Sequence, residues 1–152
     1  MNYSEKINKA IDIIVDGDEE GGKKALQSVV SFLKKEVKKK PTVAHLKAWA
    51  LCYEVMEEYE QAILRYEKVL MIENDNEEAL WRIASLCVDC LNKPEPAVAI
   101  LKNRLLKINP ESEIYKTSLA ELERLVVTRS EREQKKGEDS TTESSTPPPI
   151  VH

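Results

Sequence analysis

Glycine and phenylalanine are nearly missing from this sequence, with four of the first and one of the second in 152 residues. A β-sandwich or barrel with many tight turns is therefore not expected. Histidine is as scarce: His45 stands inside the chain and His152 at its end. No Cys–His or Ser–His–Asp set follows from them, so no catalytic residue is assigned and the chain is expected not to be an enzyme. Three cysteines, Cys52, Cys87 and Cys90, are too few for a disulfide framework, which points to a reducing compartment. No apolar run approaches the ~20 residues that cross a bilayer. The opening Met-Asn-Tyr-Ser-Glu-Lys leads into an amphipathic segment instead of an apolar one, so no signal peptide is expected. A basic excess is lacking too: the net charge is −4, and nucleic-acid binding is not expected. The expected location is the cytoplasm, with the nucleus as the alternative.

What the sequence does contain is helical periodicity, nearly unbroken from Ser4 to Thr128. Ile7, Ala10, Ile11 and Ile14 mark a first helix, stopped by a loop signal over residues 16–22. Ala25, Leu26, Val29, Val30, Leu33 and Val37 mark a second, ending before Pro41. A third spans about 43–57 and a fourth follows at once to a break at Asn74-Asp75-Asn76. A fifth carries Ala79, Leu80, Ile83, Ala84 and Cys87, and a sixth, after Pro94, ends at Asn109-Pro110. A seventh, from about 112 to 128, shows Tyr115, Leu119, Leu122 and Val126. Such short connections place neighbouring helices antiparallel. The expected layout is an all-α domain over 3–128, with hairpins at about 4–40, 43–76 and 77–110 and a capping helix at about 112–128. Residues 129–152, charged and then Ser/Thr/Pro-rich, are expected to be a disordered tail.

Two of these hairpins repeat each other. Leu46, Trp49-Ala50, Tyr53, Ala62, Tyr66 and Asn74 correspond to Leu80, Ile83-Ala84, Cys87, Ala97, Leu101 and Pro110. The offset is 34 residues at the start (46 to 80), 35 in the middle (62 to 97) and 36 at the end (74 to 110). The pattern resembles the tetratricopeptide repeat, a helix–turn–helix unit of about 34 residues. Its small residues stand where helices approach closely, and large neighbours fill the grooves beside them. Cys87 stands where the family has an aromatic, and Arg104 where it has a small residue. The first hairpin follows in outline through Ile7, Ala10-Ile11, Ile14, Ala25 and Val29, with a longer loop. The seventh helix is similar to the solvating helix that ends such arrays.

The resemblance implies a right-handed α-solenoid whose first helices line a concave groove for a peptide or helix of a partner protein. Groove-side candidates are then Lys47, Leu51, Glu54 and Val55 on the third helix. On the fifth they are Glu78, Trp81, Arg82, Ser85 and Asp89. A partly exposed Trp81 beside Lys47 and Arg82 suits a peptide with an apolar anchor and an acidic group; the competing reading packs Trp81 against the preceding hairpin. Repeats that grip chaperone C-termini use a Lys and an Asn on successive turns. Lys47 matches the first, but Leu51 takes the Asn position and Trp81 and Ser85 break the later pattern, which leaves a chaperone-linked cofactor as a lesser alternative. A reading from another class is a structural subunit that self-associates through convex or terminal surfaces, making a homo-oligomer.

Other patterns carry less. Asp16-x-Asp18-x-Glu20-Gly21 opens like a calcium loop, but Gln27 stands where the bidentate Glu belongs. Cys87-x-x-Cys90 is half a zinc site without its other half. No metal or cofactor is assigned. The basic run over 34–40 suits a helix C-terminus as well as a phosphate or a membrane surface. Thr146-Pro147 has the form of a proline-directed phosphorylation site, and Pro147-Pro148-Pro149 that of a weak polyproline ligand.

Overall fold

The computed structural model describes residues 2–144, with side chains to residue 137, and every regular element among them is helical. The elements are α1 (Tyr3–Val15), α2 (Glu19–Lys39), α3 (Val43–Val55), α4 (Tyr59–Ile72) and α5 (Glu77–Asp89). A continuous rod follows, made of α6 (Pro94–Ile100), a π-helical turn (Leu101–Leu105) and α7 (Leu106–Ile108). The last element is α8 (Glu113–Ser144). Side-chain caps set several starts: Asn2, Asp18, Thr42 and Asn76 each accept a hydrogen bond from a backbone N–H three residues on. Each helix packs against the next: α1 on α2, α2 on α3, α3 on α4, α4 on α5, α5 on α6, and α8 on α6.

The loop expected over residues 16–22 is shorter than that: α2 begins at Glu19 and carries Gly21 and Gly22 inside it. Asp18 accepts from the Gly21 N–H at 2.9 Å, and Glu19 and Glu20 face the positive end of the helix. Gly22 is buried, and a Cβ there would lie 2.2 Å from Ile14 Cγ1 and 2.9 Å from the Ala10 carbonyl oxygen. This glycine therefore serves close approach of α1 and α2, not a turn.

The turn that remains, residues 16–18, repeats the one at residues 56–58. Gly17 N–H donates to the Ile14 carbonyl at 3.0 Å and Asp18 N–H to that of Ile13 at 3.0 Å. Forty residues on, Glu57 N–H donates to the Glu54 carbonyl at 3.0 Å and Glu58 N–H to that of Tyr53 at 2.8 Å. Gly17 (φ 106°) and Glu57 (φ 61°) both take the left-handed conformation that reverses the chain. On this register Ala10, Gly22, Leu26 and Val29 match Ala50, Ala62, Tyr66 and Val69, and all eight are buried. The small-residue position expected at Ala25 belongs to Gly22.

The growing offset between the second and third hairpins also has a physical location. Lys93 N–H closes its turn on the Cys87 carbonyl at 2.7 Å, one residue later than Glu58 does on Tyr53. The second extra residue is absorbed in the π turn, where Leu106 N–H reaches back five residues to the Leu101 carbonyl. The bulge slides the register, so fully buried Leu105, not Arg104, takes the place of fully buried Val69. Arg104 turns outward and donates to the Asn74 carbonyl at 2.8 Å and its side-chain oxygen at 3.0 Å.

The core is apolar throughout; among the described residues no polar or charged residue is fully buried. Leu26, Leu33, Leu46 and Val69 anchor its larger part. A second cluster gathers Leu80, Ala84, Ala97, Leu101, Leu105 and Leu122 beneath Tyr115 and Leu119. The helix from 113 does not stop near 128: it runs on through Gly137 to Ser144, so residues 129–144 are helical and 145–152 lie outside the described residues. Strong helix formers over residues 129–136 favour the first part of the extension, together with an Arg129–Glu133 pair at 3.5 Å. The Thr146-Pro147 and Pro147–Pro149 motifs and His152 also lie outside the described residues.

Candidate functional site

The groove-side residues proposed from the sequence fall into two environments. Trp81, Ser85 and Asp89 come together along α5, where α8 adds Ser118, Glu121 and Leu122 to form a cleft of about 210 Å³. Ala84 and Leu101 close its floor. Trp81 is half-buried and lies against Tyr115 of α8, ring centroids 5.5 Å apart and planes 33° from parallel. The Tyr115 hydroxyl donates to Glu77 at 2.9 Å, which fixes the ring in turn. The aromatic neighbour of Trp81 is thus supplied by the helix that follows, in contrast to the competing expectation of the preceding hairpin.

Lys47, Glu54 and Arg82 are committed elsewhere. Lys47 Nζ lies 2.7 Å from Glu78 Oε2, joining α3 to α5. Arg82 Nη2 sits 2.8 Å from Glu54 Oε1 and 2.9 Å from Oε2, and the Tyr66 hydroxyl donates to the same Oε2 at 2.5 Å. Burial, and then this hydrogen bond to Glu54, push the Tyr66 hydroxyl well above the ordinary tyrosine range. The network ties α3, α4 and α5. Both cations that were to meet an acidic ligand already hold a carboxylate of their own chain. Leu51 and Val55 are partly buried against the core.

Sequence reasoning missed Tyr115, Ser118 and Glu121. The signal was present: Leu119 and Leu122 place one stripe of α8 on the core, and residues 118 and 121 flank that stripe on a neighbouring face. Asp89 and Glu121 leave the cleft with two carboxylates and no cationic side chain in its lining.

The patterns set aside earlier have ordinary settings. Among the described residues no group of three or more His, Cys, Asp or Glu side chains is arranged to hold a metal ion. Cys52 and Cys87 are buried and Cys90 exposed, all as free thiols; burial pushes the Cys52 thiol up to about 12. Lys38 and Lys39 occupy the last turn of α2, where they face its negative pole. Among the described residues no helix is long and apolar enough to cross a membrane.

No protein-family model matches the chain, and the comparison with curated proteins found no match.

Proposed function

We propose that the chain is a non-catalytic protein-interaction module, an adaptor or subunit of a complex, built as a short tetratricopeptide-like array. Its groove between α5 and α8 takes a peptide or helix of a partner. The observation that carries this reading is the cleft beside Trp81, where a half-buried aromatic surface meets a small apolar floor. Aromatic anchors of this kind supply most of the energy in small interfaces. The charge preference follows from what is already paired. Lys47 and Arg82 hold Glu78 and Glu54, whereas Asp89 and Glu121 face the cleft. The ligand is therefore an apolar anchor flanked by Lys or Arg, in place of the acidic peptide expected from sequence. Loss of the free Lys47 ammonium also weighs against the chaperone-tail reading, which needs that charge for a carboxylate.

Selection of peptides from a random display library on the purified chain tests this directly. The expected winners combine one bulky apolar residue with a basic neighbour and weaken as salt rises. Acidic winners would refute the assignment. The alternative, a self-associating structural subunit, is favoured by the exposed apolar side chains Ile114, Leu125 and Val127 on α8; it predicts a dimer in sedimentation that Leu125→Glu dissociates.

A further inference from the structure

A larger cleft, of about 600 Å³, lies at the opposite end of the molecule between α1 and α2. Its walls are Tyr3, Ala10 and Ile13 from α1 and Ala25, Val29 and Phe32 from α2, and His45 closes one end. Lys6 and Lys9 are the charged side chains in its lining, and no acidic one is present. On the forty-residue register these two lysines match Leu46 and Trp49, which are buried in the shared core. The cleft is thus the end face of the helical stack. At the other end the face of the last hairpin is covered, because α8 lays Tyr115, Leu119 and Leu122 over Leu80, Ala84 and Leu101.

Two observations point to an occupant. Phe32 keeps 48% of its surface exposed, although its neighbours Val29 and Leu33 are buried. The lining itself carries charge of one sign, Lys6 and Lys9, while Lys35 and the half-buried Glu36 both follow Phe32 by one helical turn. We propose that this cleft seats an acidic amphipathic helix of a partner protein. Its apolar stripe fills the trough as α8 does at the far end, and its carboxylates meet Lys6 and Lys9.

The test uses the full chain and three fluorescent peptides of about 18 residues with the same Leu/Ile stripe at helical spacing. Their flanks are Glu, Lys or Gln. The Glu peptide is expected to bind roughly tenfold or more tighter than the Lys peptide at 0.1 M salt. Lys6→Glu with Lys9→Glu should invert that order. Phe32→Ser, with helicity unchanged by circular dichroism, should weaken the Glu peptide about tenfold, while Trp81→Ala leaves it unaffected. Equal binding of the Glu and Lys peptides, or insensitivity to both Phe32→Ser and the charge reversal, would overturn the proposal. So would dodecanoate binding in the cleft while the Glu peptide does not bind, or a dimer of the chain that buries Phe32.

Discussion

One carboxylate, Glu54, receives the guanidinium of Arg82 on both of its oxygens, at 2.8 and 2.9 Å, and the hydroxyl of Tyr66 on one of them. Its side chain is 12% exposed and that of Arg82 is 40% exposed, so the pair sits at the edge of water. Removing the acceptor leaves a phenol and a guanidinium without their partner. Glu54→Ala is expected to cost about 1–3 kcal/mol and Tyr66→Phe about 1 kcal/mol, measured by urea denaturation. If Glu54→Ala proves neutral, the network does not hold α3, α4 and α5 together.

Replacing a glycine inside a helix by alanine ordinarily stabilises by up to about 1 kcal/mol. Gly137, with nothing within 4 Å of its would-be Cβ, should follow that rule. Gly22 should reverse it. Its Cβ would meet Ile14 Cγ1 at 2.2 Å and the Ala10 carbonyl oxygen at 2.9 Å, and the backbone atom cannot swing away. Gly22→Ala is expected to destabilise by roughly 1–3 kcal/mol. The sign of the two thermal shifts decides the matter.

That contrast shows where the sequence was readable. Helix number and type followed from the spacing of residues such as Leu46, Trp49 and Tyr53, because a buried stripe must recur with the helical period. Gly21-Gly22 was misleading, since glycine marks turns and close helix contacts alike and only a neighbour such as Ile14 distinguishes them. Arg104 misled for another reason: a one-residue bulge cannot be seen in composition, though the offset growing from 35 at Ala97 to 36 at Pro110 carried its trace. At the candidate site, the helical face of Trp81 was legible, but its Tyr115 neighbour was not. Nor was the pairing of Lys47 and Arg82 within the chain, because contacts across 28 or 31 residues depend on how the helices stack.

The cysteines should differ sharply in reactivity. The Cys52 thiol is pushed up to about 12 by burial, and burial also raises Cys87, while Cys90 is exposed. At pH 8 one equivalent of a thiol reagent is expected to react promptly and two only as the protein unfolds. The linkage has one sign. The folded-state value of Cys52 lies above its ordinary 9.0, so its contribution is intact below pH 9 and is lost as pH climbs toward 12. The Tyr66 hydroxyl, also raised, acts in the same direction. A denaturation midpoint that rises between pH 9 and 11 would contradict this account.

The central claim is that the cleft beside Trp81 is where a partner is held, and its most direct test is the affinity of a display-selected peptide for Trp81→Ala against the unmodified chain. With helicity matched by circular dichroism, the account predicts a loss of at least tenfold, about 1.4 kcal/mol or more, and a smaller loss for Asp89→Asn. Equal affinity for the two chains would contradict it.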